Sequence, residues 1–368
     1  ERVDILFKDA FRVRCNLLHD SNEFLDYRKD FFNEPFTLEQ TLPIKMMYFP
    51  DDPQPVLLMS IHHIVGDGMS ILEFLNAIMD FLNGKALPEI GIYNPSLFTI
   101  FMEKPIYRLP LILWRSYKWF IQRKRKPKPG PIVNASNRPT NYFGPCDVYT
   151  HRFSFSLSTL RSKAKELEAT LTNIMLMALT IAFSKGSGKD KGEVIGIRIP
   201  LDHRTYFPND KPVFGNYAIA PMIEIRRELW DKPGDMLLDI QAQMSSITEG
   251  IKQKTALISY LIDSSMIHLL GRKFYGWAAM FAKERGLISK TASLTNLGNL
   301  DLLNTHGPKA QVSEFYCNMS SYGLFFGISS LNDNVFMVVT YQDAEFSREE
   351  IRGFIEDLEQ SINDILAM

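Results

Sequence analysis

Two adjacent histidines, His62 and His63, followed by Asp67 and Gly68, are the residues of this chain whose types and spacing best suit chemistry. A neutral imidazole removes a proton from an alcohol, amine or thiol near neutral pH. An aspartate four residues after His63 has two uses. It can hydrogen-bond the imidazole as a catalytic pair. It can also turn away, pair with a cation from elsewhere in the chain, and lock the loop that aims the base. No second acid lies within the loop, so residue types leave both readings open. A third reading is a strand-end histidine pair satisfied by backbone. The agreement of strand, loop, helix and residue types weighs against it.

These residues need elements to hold them. Residues 56–61, VLLMSI, form an apolar run with the length of a buried strand. After the histidines, Ser70 with Glu73 three residues later reads as a capping box. Ile71, Phe74, Leu75, Ile78 and Leu82 then recur at helical spacing, and Gly84 suits the helix stop. The histidines therefore fall where a strand ends and a helix begins, a common place for ligand sites in layered α/β folds.

The stretch His62-His63-Ile64-Val65-Gly66-Asp67-Gly68 matches the pattern HHxxxDG at all its fixed positions. In this the chain resembles the superfamily of acyl-transferring enzymes that includes condensation domains and chloramphenicol-acetyltransferase-like proteins. The likeness extends along the chain. Pro35-Phe36 and Leu42-Pro43 lead into the histidine strand as they do in the family, where a further strand–helix block precedes this point. That first block is expected to be missing from these residues. Beyond residue 145 the order is a strand at 148–155, helices at 158–168 (surface) and 173–183 (apolar all round, capped by Thr172), and a strand at 193–200. Phe214-Gly215-Asn216 then opens a strand at 217–225, and helices at 235–252 and 256–283 follow. A strand at 292–297 ends at Gly298, a hairpin at 325–341 turns at Asn332-Asp333-Asn334, and a last helix starts at a Ser347/Glu350 capping box. This order is closest in pattern to the wax ester synthase and alcohol acetyltransferase branches. The implied fold is α/β, two chloramphenicol-acetyltransferase-like halves, each a mixed sheet flanked by helices, around a central cleft or tunnel. The expected divisions are 1–130 for the half carrying HHxxxDG, 131–145 for a linker rich in Pro and Asn, and 146–368 for the second half.

The resemblance also implies roles. His63 is the general base that deprotonates the acceptor, and Asp67 completes the catalytic motif by turning away to pair with an arginine. Arg204 is the best match for that partner and Arg198 the competitor. His62 supports the loop, and Gly68 leaves room for a pantetheine arm. Thr295 and Asn296 lie across the site, where a hydroxyl or amide can hydrogen-bond a tetrahedral oxyanion; a plain turn before Gly298 is the alternative reading. His203 reads as a supporting residue, and Tyr322 as a residue bordering the site. No cofactor is expected to be permanently bound and no metal is implied. Acyl-coenzyme A, or an acyl group on a pantetheinyl carrier protein, enters as substrate, and a small-molecule or lipid alcohol or amine accepts it.

Bulk properties narrow the field. A formal net charge of −1 over 368 residues argues against nucleic acid, which needs a basic footprint. Cys15, Cys146 and Cys317 are odd in number and widely spaced, so they read as free thiols in a reducing compartment. With no signal-peptide pattern and no apolar run of membrane-spanning length, a cytoplasmic location is expected. Residues 106–121, IYRLPLILWRSYKWFI, followed by basic residues at 123–126 and 128, have the composition of an interfacial helix on anionic lipid. A core-covering helix with a solvated basic loop has the same composition, and Pro105 and Pro110 favour it. Three functions follow from different classes: a free-standing acyl-coenzyme A transferase, favoured here; a nonribosomal peptide condensation-type domain using carrier-bound substrates; and a binding module that keeps the fold without turnover.

Overall fold

The computed structural model describes residues 7–86, 130–186, 192–252 and 290–368, apart from positions 20, 52, 139, 141–143, 203, 205–213 and 321–322, together with isolated residues at 110–118 and 274–281. His203, Tyr322, the basic cluster at 123–128 and most of the expected helix at 256–283 lie outside the described residues.

The first half is built on a three-stranded sheet. β1 (Phe11–Val13) pairs parallel with β2 (Ile44–Phe49), which pairs antiparallel with β3 (Val56–Ile61). Alternation along the strands turns Met47, Phe49 and Leu58 to one face. There they pack with Leu17, Phe24 and Phe31 on and beside α1 (Asn22–Asn33), which is capped by Ser21. The Ser21 cap and the spacing of Phe24 and Phe31 make this charged and aromatic stretch a helix. α2 (Gly68–Leu82) follows the histidine loop and ends at Asn83 and Gly84, the latter at φ +83°.

The second half is a six-stranded mixed sheet. Its elements are β4 (Cys146–Ser156), α3 (Leu157–Glu166), α4 (Leu171–Lys185), β5 (Val194–Arg198), β6 (Leu201–Asp202), β7 (Ala218–Ile219), β8 (Met222–Arg226), α5 (Pro233–Lys252), β9 (Ala292–Asn299), β10 (Leu324–Leu331), β11 (Asn334–Gln342) and α6 (Arg348–Ala367). The strand order is β4-β11-β10-β9-β5-β8, with β10, β9 and β5 parallel. The β10–β11 hairpin turns through Asn332 and Asp333, both at positive φ, as a tight two-residue turn requires. α4 is buried on every side, and α6 begins at the Ser347/Glu350 capping box. β4 and β11 to β8 with α4, α5 and α6 enclose the larger core.

Several local expectations are corrected. The cap of α4 is Thr170, whose hydroxyl accepts from Asn173 N, because the helix starts at Leu171, two residues before the expected start. The strand expected at 217–225 is split into β7 and β8 at Pro221, which has no amide proton for a ladder. β9 does not stop at Gly298. It bulges there, with Asn296 opposite Ile328 and Asn299 opposite Ser330, and Gly298 takes φ +75°. Apart from these corrections, the expected linker residues that are described include two that bond to the second half: Val133 N donates to Val194 O, and Ser136 Oγ donates to Glu345 O.

α1 and α2 both dock on the second half. Arg28 of α1 reaches the Val148 carbonyl, and Asn33 pairs with both backbone groups of Cys146, so α1 covers the open edge of β4. α2 packs Met79 against Leu300, Leu303, Leu331 and Phe336. Its far end is clamped where His306 meets Asp80 at 2.6 Å and Asn83 Oδ1 accepts from Lys309 N and Ala310 N. The loop carrying the histidines thus hangs between a strand of the small sheet and a helix held by the large one.

Candidate active site

Asp67 is the N-cap of α2, its Oδ1 accepting from Ser70 N at 3.2 Å. This replaces the cap expected from Ser70. The reason is that the Ser70 hydroxyl is spent elsewhere: it pairs with the Gly215 carbonyl and amide, each at 3.0 Å, and receives Arg204 Nη2 at 2.8 Å. Gly66 is needed for space here, since a Cβ would fall 2.4 Å from that of Ser70. Neither Gly66 nor Gly68 uses a left-handed backbone.

The Asp67 carboxylate turns away from His63. Arg204 holds it with two bonds, Nη2 to Oδ1 at 2.7 Å and Nη1 to Oδ2 at 2.9 Å, and Tyr217 N donates to Oδ2 at 2.9 Å. Asp67 is 4% exposed. Burial alone would raise its pKa, but the Arg204 hydrogen bonds, then the Tyr217 amide and the Arg204 charge, outweigh it and hold the carboxyl below its ordinary range. Burial likewise opposes the Arg204 charge, and Asp67 overcomes it, raising the guanidinium further. The bidentate geometry suits a fork of guanidinium donors on a carboxylate. Arg198, the competing partner, ends β5 opposite Ser293. Its charge adds to burial in pushing the Lys290 ammonium down to about 8.

The histidines have different surroundings. His62 is tied into the first half: its amide donates to Pro43 O, its Nδ1 accepts from Ile64 N at 3.2 Å, and its ring stands edge-on to Phe36 at 5.6 Å. The Pro35-Phe36 and Leu42-Pro43 segment is what supports it. His63 is exposed, and its Nδ1 meets the side-chain amide of Asn216 at 3.0 Å. Its Nε2 has no hydrogen-bond partner among the described residues.

Thr295 and Asn296 are separated by the strand they share. Asn296 points toward α4, where its Nδ2 donates to Thr172 Oγ1 at 3.3 Å and its Oδ1 accepts from Gly298 N at 2.9 Å. Thr295 shares the opposite face with Leu297. Leu297 packs against α2, where a Cβ added to Gly68 would come within 3.0 Å of its Cδ2. Gly68 therefore also serves close approach of β9 to the start of α2. Beside the loop lies an apolar cavity of about 140 Å³ lined in part by Ile44, Ile61, Val65, Ile71, Phe74 and Phe214.

Sequence reasoning passed over two residues. Ser70 was read as a cap and is instead the hinge pin between the halves. Asn216 was read as part of a strand opening. Its signal was the run Phe214-Gly215-Asn216 following an arginine, which marks a turn and nothing about His63.

Comparison with solved structures places the fold. A condensation domain of the calcium-dependent antibiotic synthetase, in complex with a substrate analogue, superposes with a TM-score of 0.62 over 96% of this chain and 78% of its own, at 12% identity. The wax ester synthase/diacylglycerol acyltransferase of Marinobacter aquaeolei VT8 gives 0.56 over 98% and 79%, at 15% identity. This chain has the condensation-domain fold. The epimerization domain of tyrocidine synthetase B matches at 0.54 over 97% and 80%, with 13% identity. The two-half, chloramphenicol-acetyltransferase-like architecture is therefore present here with mixed sheets flanked by helices. Among curated proteins, gramicidin S synthase 2 of Brevibacillus brevis is 26% identical over 167 residues, and surfactin synthase subunit 1 of Bacillus subtilis (strain 168) is 28% identical over 171. Each match covers 43% of this chain and only 4% of the much longer relative. No family model matches.

Proposed function

We propose that this condensation-fold chain transfers an acyl group from a pantetheine thioester to an amine or alcohol, with His63 as the general base. One observation carries the reading. His63 keeps an exposed ring with Nε2 open, while His62, Asp67 and Ser70 around it are all committed to holding the loop. In the reaction, Nε2 takes the acceptor's proton as its nitrogen or oxygen bonds to the thioester carbonyl carbon. The tetrahedral oxyanion then collapses, the carbon–sulfur bond breaks, and the imidazolium returns the proton to the leaving thiolate. Thr295, on the face of β9 turned to α2, is the residue suited to donate to the oxyanion; Asn296 has its amide engaged elsewhere. The apolar cavity beside the loop favours an apolar group on one substrate.

The pantetheine arm is common to acyl-coenzyme A and to acyl carrier proteins. A free-standing enzyme would take the coenzyme form, with a small-molecule or lipid acceptor. The matches to gramicidin S and surfactin synthases favour carrier-bound substrates and a condensation between them. Thiol release is measured with a panel of acyl-coenzyme A donors and, separately, with loaded carrier protein, against pooled amines and alcohols. Acceptor-dependent release with either donor, lost in His63→Ala, supports acyl transfer, and the donor used decides between the two forms. No release with either, or a rate indifferent to His63→Ala, overturns it.

A further inference from the structure

The face of the large sheet turned to the first half carries two cations that the acyl-transfer steps do not use. Ala292 and Leu294 of β9 enter the larger core, and so do Ile195 and Ile197 of β5. Alternation sends Ser293, Thr295 and Leu297 to the other face, together with Arg198, which stands opposite Ser293 in register. Leu297 marks that face as the one meeting α2, since it packs there with Met79. Arg198 is half-buried, and among the described residues it has no hydrogen bond and no ion pair. Lys290, just before the strand, donates from Nζ to Ser293 Oγ at 2.8 Å. Burial first, and then the Arg198 charge, push its ammonium down to about 8.

Two like charges in a half-buried setting repel, and each is costly to hold away from water. An oxyanion seated between them relieves both costs. The donors suit one. A guanidinium presents a planar fork that fits a carboxylate or a phosphate with two bonds, and an ammonium adds a point charge. Ser293 accepts from Lys290, and its own O–H has no acceptor among the described residues, so it is left to donate. Phe325 of β10 stands opposite Ser293 and Met222 of β8 opposite Arg198, which flanks the polar groups with apolar side chains. Position narrows the ligand further. Two residues of strand advance about 7 Å. A charge held at Ser293 therefore lies only that far from Thr295, the donor suited to the reaction's oxyanion. We propose that Arg198, Lys290 and Ser293 form a subsite for a carboxylate or phosphate that a substrate carries within a few bonds of its reacting atom. That the ligand is a substrate rests on the acyl-transfer reading; that it is an anion rests on the sheet alone.

Calorimetric titration reads binding without turnover. Succinate, inorganic phosphate, coenzyme A and uncharged pantetheine are titrated into wild type, Arg198→Gln, Arg198→Lys and Ser293→Ala, each checked for folding by its melting temperature. Succinate or phosphate should bind wild type and lose about 10- to 100-fold in affinity in Arg198→Gln, with pantetheine unaffected. Arg198→Lys, which keeps the charge but not the fork, should fall between, and Ser293→Ala should lose less. The anion that depends more on Arg198 is the one the subsite takes. With an active donor in hand, an acid-bearing substrate should lose kcat/KM in Arg198→Gln relative to its amide counterpart, by about the same 10- to 100-fold. Failure of both succinate and phosphate to bind wild type, equal affinities in wild type and Arg198→Gln, or a loss confined to coenzyme A overturns the inference. Arg198-dependent binding of either small anion, without thiol release from any donor, sinks the acyl-transfer reading and leaves the anion subsite standing.

Discussion

The two sides of the loop between β3 and α2 are built to opposite ends. On the Asp67 side, a buried carboxylate has donors on both oxygens, from an arginine, a backbone amide of the second half and the first turn of its own helix. On the His63 side, an exposed imidazole has one hydrogen-bond contact among the described residues, to the Asn216 amide nitrogen. Four residues separate a group whose charge is compensated on both oxygens from an imidazole whose Nε2 has no hydrogen-bond partner among the described residues. Leaving a carboxylate and a guanidinium half-buried costs free energy unless each is paired with good geometry. Here the pairing joins the two halves beside the loop that carries His63. The difference teaches that the aspartate of this motif is spent on tying the loop to the second half and not on pairing with the imidazole.

The largest expected effect breaks the exposed side. His63→Ala should lower turnover by about 10²–10⁴-fold while the melting temperature stays near that of wild type. A near wild-type rate in a folded variant would remove His63 from the chemistry. The next effect breaks the buried side. Arg204→Ala leaves the buried Asp67 carboxylate without its counter-charge and should cost about 3–5 kcal/mol in denaturant unfolding as well as activity. Asp67→Ala should cost less, because Asp202 still pairs with Arg204 at 3.0 Å. The double variant should lose less than the sum of the singles, because one removal makes the other cheap. Additive losses would mean the pair is not coupled. Gly215→Ala should be milder, about 1–3 kcal/mol, from the strain of φ +145° and the clash with the Tyr217 ring. If it unfolds no more easily than wild type, the Gly215 backbone does not set the seam.

Much of this contrast was legible in the residues and part was not. The strand, the loop and the helix around HHxxxDG follow from an apolar run and a 3.6-residue recurrence, both local signals. Asp67 turning to Arg204 needed the resemblance, because 137 residues separate the partners and only the folded chain joins them. The capping residue was misread because two candidates, Asp67 and Ser70, lie one turn apart, and a long-range bond from Gly215 decides between them. Asn216 gave no signal for the same reason: its partner is His63, 153 positions away. Thr295 and Asn296 were read as a pair, yet alternation along β9 sends them to opposite faces. Period-two patterning was available in the sequence; which face meets α2 was not.

The smallest expected effect sharpens the comparison without breaking it. Asp67 has its folded-state pKa held below the ordinary carboxylate value of about 3.9. A group depressed on folding contributes stability that is present above its unfolded pKa and is lost as pH falls through the folded one. The raised Arg204 guanidinium works in the opposite sense and only at strongly alkaline pH, so it adds nothing to the acid side. The stability difference between wild type and Asp67→Asn should therefore be constant from pH 7 to about 5, then shrink below about 4 as the wild-type carboxylate takes up a proton. The His63→Ala variant should run parallel to wild type through that acid window, since its lock is intact. Unfolding followed by urea titration at each pH reads both differences. A wild-type advantage over Asp67→Asn that persists unchanged to pH 2 would show that the loop is held by packing and by Ser70, and that the charge on Asp67 is incidental to the aiming of His63.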